Sequence, residues 1–146
     1  MNFSKDELIF VPLGGSGEIG MNVNLYHYKS DWLMIDLGIS FSDETIPGVD
    51  IILPDIRFVE EQKVNLRGII LTHAHEDHFG AIPYLWDKLK VPIYGTAFTL
   101  ALLRRKLAEA KLSDKIPLHE IKYNVDYNFG AFTIEFVALS HSIPDP

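Results

Sequence analysis

The chain has 146 residues, 47% hydrophobic and 12% aromatic, enough apolar material for one substantial core and a single globular domain. Its formal charge of −7 and pI of about 5.2 exclude a general electrostatic attraction to nucleic acid or anionic membrane, so a polyanionic substrate would need a local positive site. The absence of cysteine excludes disulfides, and the N-terminal apolar run, about six residues long and preceded by acids, is unlike a signal peptide or a membrane span, so a cytoplasmic location is expected.

No internal repeat, low-complexity segment or Pro/Gly/Ser-rich linker divides the chain, which reads as one unit. "LIFVPLG" (8–14) is a short apolar run closed by glycines and predicts a buried strand. "NVNLYHY" and "WLMIDLG", on either side of the turn-like "KSD", predict a hairpin, so the chain opens with three consecutive strands. Residues 42–55, with Pro47, Gly48 and Pro54 among several acids, read as a loop. A short helix "IRFVEEQ" leads into an apolar strand, "RGIILTH". Next, Phe79, Ile82, Leu85, Trp86 and Leu89 stand at helical spacing, followed by a strand "PIYG" and a helix "TAFTLALLRRKLAEAK". The stretch 116–139 alternates as two or three strands broken at "NFGA". An early meander followed by a strand–helix–strand unit excludes an all-helical bundle and fits a layered α/β sheet.

"GGSGEIG" carries Gly15-x-Gly17-x-x-Gly20 after a strand, with Asp36 ending a later one, which superficially is a dinucleotide fingerprint. That fingerprint works only where a helix starts in the glycine loop and turns its amides toward a pyrophosphate. Here the following residues, "MNVNLYHYKSDW", alternate like strands and leave no room for a crossover helix. Glycines that permit a tight turn and a close backbone approach are the better account.

The strongest chemical signal is "LTHAHEDHFG", where a strand ends in His73-x-His75-x-Asp77-His78. In extended backbone His73 and His75 point to the same side. If the chain then turns into a helix, Asp77 and His78 swing back over the strand end. Imidazole and carboxylate together suit Zn(II), with Mn(II) or Fe(II) as alternatives, because geometry and supply discriminate between metals more than ligand type does. A surface histidine cluster at a turn is the bland alternative, but four ligand-type residues in six positions favour metal. His141, after the strand-like "FTIEFVAL", mirrors the placement of His73 after "GIIL" and is a further candidate, against the alternative of a hydroxyl-flanked surface histidine. For Asp36 the lesser alternative is an aspartate starting a turn. His27 and His119 lack ligand neighbours and read as ordinary strand surface. Arg104, Arg105 and Lys111 in "RRKLAEAK" read as a solvated helix face rather than a phosphate contact.

His-x-His-x-Asp-His after an apolar strand resembles the metallo-β-lactamase superfamily, whose fold packs two sheets face to face between outer helices. The flanks "PLGGSGEIGMN", "IDLGISF", "PGVDIILPD", "PIYGTAFTLALLRRKL" and "SHSIPD" are similar to the start of the bacterial ribonuclease J family, in the β-CASP branch. The resemblance implies the first part of an αββα sandwich, mostly one mixed sheet with flanking helices. Residues 1–146 would then be the N-terminal part of such a domain, with its second half, a β-CASP domain and a C-terminal domain outside them. It implies His73, His75 and His141 as ligands of one metal and Asp77 and His78 as ligands of a second and catalytic residues, with Asp36 orienting the metal loop from behind. A bridging aspartate and a distant histidine used by the family are not among these residues.

The implied cofactors are two Zn(II) ions in a complete site, or Mn(II), activating a shared water for attack on phosphorus. The implied activity is 5′-to-3′ exonucleolytic and endonucleolytic cleavage of single-stranded RNA. The same motif would also serve a thioester or lactam hydrolase, since fold and metal site do not fix substrate. A third reading is a non-catalytic metal-binding half-domain, and residues 1–146 alone are expected to be inactive. If the second sheet lies outside the chain, the inner sheet face should expose apolar side chains and favour a homo-oligomer.

Overall fold

The computed structural model describes residues 6–42, 47–61 and 64–146. Its main element is a six-stranded mixed sheet in the order β1-β2-β3-β6-β7-β8. The strands are β1 (Ile9–Gly14), β2 (Val23–Tyr28), β3 (Asp31–Ile35), β6 (Leu66–Ile70), β7 (Ile93–Gly95) and β8 (Leu118–Glu120). β1, β2 and β3 form the expected antiparallel meander, while β3, β6, β7 and β8 run parallel. Parallel neighbours need crossovers. These run through α1 (Arg57–Glu61), α2 (Glu76–Phe79) with α3 (Ile82–Leu89), and α4 (Ala97–Glu109). Among the described residues no helix is long and apolar enough to cross a membrane.

Side-chain parity decides the layers. In β2, Val23, Leu25 and His27 are buried while Asn24, Tyr26 and Tyr28 are only partly so. Leu100, Leu103 and Leu107 of α4, at spacings of three and four, press onto the same core, together with Ile82, Leu85 and Trp86 of α3. His27 therefore corrects the expectation of a strand-surface residue: it is 6% exposed, with its ring 4.6 Å from that of Trp32. Its parity with Val23 and Leu25 was the available signal.

The other sheet face carries a smaller cluster of Leu33, Ile70 and Phe129. Its cover is a hairpin of β9 (Asp126–Phe129) and β10 (Phe132–Glu135). The hairpin turn is anchored by buried Asp31, which accepts from Ala131 N–H at 2.7 Å and pairs with Arg67 at 2.7 Å. Cover stops short of β1, where Phe10, and Leu8 just before the strand, remain 49% and 65% exposed.

Three local expectations are refined. The loop 42–55 holds part of a two-residue ladder, β4 (Ser40–Phe41) against β5 (Ile51–Ile52); residues 43–46 lie outside the described residues. The helix after the histidine motif is broken into α2 and α3 at Gly80–Ala81. A Cβ on Gly80 would lie 2.4 Å from the Glu76 carbonyl oxygen, so a close approach requires glycine there. Finally, β10 ends at Glu135, so His141 follows an irregular segment rather than a strand.

Candidate metal centre

β3 and β6 are parallel neighbours, and the site lies just past their carboxyl ends, the usual location for a site in an open α/β sheet. Asp36 follows β3 with a left-handed φ of 63°, a conformation aspartate tolerates better than most residues. Its backbone N–H stays in register, donating to the Ile70 carbonyl at 2.8 Å, while its 3%-exposed carboxylate turns toward the end of β6. There Thr72 donates its backbone N–H to Oδ1 at 2.8 Å and its hydroxyl to Oδ2 at 2.8 Å.

With its proton committed to Asp36, the Thr72 hydroxyl becomes an acceptor for His73 Nδ1, 3.0 Å away. That places the His73 proton on Nδ1 and leaves the Nε2 lone pair facing the site. Nε2 lies 2.9 Å from His75 Nδ1 and 3.2 Å from His141 Nε2, and one nitrogen from each of the three rings falls within 4.8 Å of the others. Nitrogens on one tetrahedral Zn(II) at about 2.0–2.1 Å stand roughly 3.3 Å apart, so this donor set fits a single ion. Burial, reinforced by the charges of His78, His75 and His141, lowers the His73 pKa to about 4. Near neutral pH His73 is therefore a free base, the form that can coordinate.

The second cluster lies beside the first, with the rings of His73 and His78 4.0 Å apart between centroids. His78 Nδ1 donates to Asp36 Oδ2 at 2.7 Å, so its Nε2 is the lone-pair nitrogen, 3.5 Å from Asp77 Oδ2. Burial alone would lower the His78 pKa, but the hydrogen bond and charge of Asp36, with the charge of Asp77, raise it. Burial likewise raises Asp36, against the pull of His78 and Thr72.

The backbone brings these residues together by close approach. Leu37 N–H donates to the His78 carbonyl at 2.7 Å, and Ile39 N–H to the Glu76 carbonyl at 3.1 Å. A Cβ on Gly38 would lie 1.6 Å from the Asp77 carbonyl oxygen, so only glycine lets the two segments meet. All six sequence-selected residues, Asp36, His73, His75, Asp77, His78 and His141, converge here. His119 is distant in role, stacked on Tyr94 at 4.9 Å, and Arg104, Arg105 and Lys111 are exposed as expected.

Sequence reasoning missed three contributors. Thr72 selects the His73 tautomer, and its position beside the motif, at the end of a strand, was its signal. Asn22, closing the glycine block, donates its carboxamide to Asp77 Oδ2 at 3.1 Å. Lys106, inside the basic run, binds both Glu76 carboxylate oxygens at 2.9 and 2.7 Å and lies 5.8 Å from the centre of the Phe79 ring. The last two contacts span 55 and 30 residues, so no local pattern announces them.

Comparison with known proteins gives concordant results. The model of the metallo-beta-lactamase superfamily matches residues 17–143. Ribonuclease J of Sinorhizobium meliloti is 48% identical over 97% of this chain and 26% of its own length. Ribonuclease J of Helicobacter pylori is 41% identical over 97% of this chain and 21% of its own length. The chain thus spans about a quarter of the length of the curated relatives it matches. Among solved structures, the metallo-beta-lactamase fold protein YhfI of Bacillus subtilis superimposes with a TM-score of 0.62 at 19% identity, over 92% of this chain and 53% of that one, a likeness of fold.

Proposed function

The chain belongs to the metallo-beta-lactamase superfamily, and from that premise we propose that it forms the metal-binding part of a ribonuclease of the ribonuclease J type. The observation that carries this reading is the convergence of three imidazole nitrogens within 4.8 Å, beside the Asp36–His78 pair. His73, His75 and His141 would hold one divalent ion, and Asp77 and His78 a second, with Zn(II) suited to this donor set and Mn(II) the alternative. Bound there, such ions activate water and stabilise charge on a leaving oxygen.

The protein's own contribution is to present its ligands in the right protonation state. The Thr72 hydroxyl accepts a hydrogen bond from His73 Nδ1 and the Asp36 carboxylate one from His78 Nδ1, so that the Nε2 atoms of both rings face the site. The proposed substrate is single-stranded RNA, cleaved 5′-to-3′ and internally, and the 41–48% identity to ribonucleases J supports that choice over a thioester or lactam. The same likeness supports a cytoplasmic location and the reading of residues 1–146 as the N-terminal part of a longer metallo-beta-lactamase domain. Among the described residues Asp77 and His78 are the candidate ligands of the second ion, so we propose that residues 1–146 do not turn over RNA unaided. The exposed Leu8 and Phe10 supply an apolar margin for self-association, measurable by light scattering.

The test is cleavage of 5′-monophosphorylated RNA with Zn(II) or Mn(II) by the full polypeptide that carries this chain. We expect turnover that His75→Ala abolishes, and none from residues 1–146 alone. Thioester or lactam hydrolysis without RNA cleavage would overturn the substrate assignment. Robust RNA turnover by residues 1–146 would overturn the requirement for further residues.

A further inference from the structure

The glycine block 14–20 has no part in the reading above, yet it ends against the metal centre. Met21 N–H donates to the Ile39 carbonyl and Asn22 N–H to the Asp77 carbonyl, each at 2.8 Å, while Asn22 accepts from Gly38 N–H at 3.0 Å. Asn22 is thereby fixed between the exit of β3 and the start of α2. Its side-chain nitrogen lies 3.1 Å from the Asp77 carbonyl oxygen, 3.1 Å from Asp77 Oδ2 and 3.2 Å from His78 Nε2.

The carbonyl and carboxylate oxygens of Asp77 are both acceptors. The carboxamide must therefore present its NH₂ to them, since its oxygen there would face like lone pairs. The glycines explain how it gets there. Gly15 has a φ of 78°, and a Cβ on it would lie 2.4 Å from Asn22 Oδ1. A Cβ on Gly14 would lie 2.2 Å from the Met21 carbonyl oxygen. The block is built to seat the oxygen end of Asn22 and aim its nitrogen end at Asp77 and His78.

We infer that Asn22 is a positioning residue for the second half of the metal centre, and that the glycine loop serves to aim its carboxamide at the ligand atoms of Asp77 and His78. The inference rests on the metal-binding reading proposed above. In the metal-free chain the carboxamide holds the Asp77 carboxylate and the His78 imidazole together, Oδ2 and Nε2 lying 3.5 Å apart. Were Asp77 and His78 to hold an ion, the hydrogen bond from Asn22 to Asp77 Oδ2 would orient the carboxylate for it. Groups that orient metal ligands in this way are worth about 10–100-fold in metal affinity.

The experiment is titration of Zn(II) and Co(II) into the full polypeptide carrying this chain, wild type and Asn22→Ala, with the two positions followed by the ring signals of His78 and His73. We expect about tenfold or greater weakening at the Asp77–His78 position and unchanged affinity at the three-histidine position. Equal affinities in wild type and variant overturn this inference alone. A wild-type protein that takes up no ion overturns the metal reading and this inference with it. A second measurement needs no variant: the Asn22 side-chain NH₂ signals of the wild type should exchange slowly with solvent and shift on Zn(II) addition. Fast exchange both with and without metal overturns the inference.

Discussion

The two sides of the metal centre are held by different means. On one side His78 is clamped: Asp36 binds its Nδ1 at 2.7 Å, Asn22 faces its Nε2, and Leu37 N–H holds its carbonyl. On the other side His141 is exposed and arrives at the end of an irregular segment in which Val137 and Leu139 are 59% and 74% exposed. It touches the cluster through His73, 3.2 Å away, with its ring 4.8 Å from that of His75. One side is thus held by buried hydrogen bonds of the fold, whereas His141 on the other meets the imidazoles of the cluster. Preorganisation is costly in buried polar groups, so it is concentrated where those groups satisfy one another.

The comparison is sharpened by substitutions ranked by their effect on the metal-free fold. The largest belongs to Gly38→Ala, because a methyl group would meet the Asp77 backbone at 1.6 Å and cannot be accommodated by a side-chain rotation. We expect a loss of about 3 kcal/mol or more in chemical denaturation, with metal affinity lost on both sides. Asp36→Asn comes next. Asparagine tolerates the left-handed backbone, so the change isolates the charge, and a loss of about 1–3 kcal/mol is expected. The sign of its effect on His78 is definite. The hydrogen bond and charge of Asp36 raise that imidazole, so removing the charge should move its titration to lower pH, as read by NMR of the metal-free chain. Lys106→Met is smaller. It removes a part-exposed pair with Glu76 and should cost about 1 kcal/mol or less.

The sequence was most legible where chemistry and periodicity coincide. His73-x-His75-x-Asp77-His78 at the end of an apolar strand located the site, and the alternation of 22–38 located the hairpin that carries Asp36. The glycine block was correctly denied a crossover helix, since β1 and β2 pair antiparallel across it. What it does instead was hidden, because Asn22 and Asp77 are 55 residues apart and meet only when β3 and β6 lie side by side. Lys106 was hidden for the opposite reason. It stands in a run of cations whose neighbours Arg104 and Arg105 do face water, and helical phase alone turns it toward Glu76. The two-residue ladder of β4 and β5 is too short for alternation to mark it.

His141→Ala should affect the fold least and the comparison most. The residue is exposed and contributes little burial, so the metal-free stability should stay within about 0.5 kcal/mol of wild type. Its loss nevertheless removes one of three nitrogens from the cluster, so Zn(II) affinity at that position should fall sharply while the Asp36–His78 pair is untouched. The denaturation curve and the metal titration should therefore separate completely, as they cannot for Gly38→Ala. In the wild-type chain, amides of residues 136–146 should gain protection from hydrogen exchange when Zn(II) is added if, as proposed, His141 shares an ion with His73 and His75. If those amides were already protected without metal, or if His141→Ala cost as much stability as Asp36→Asn, the two sides would be equally preformed and the contrast between them would disappear.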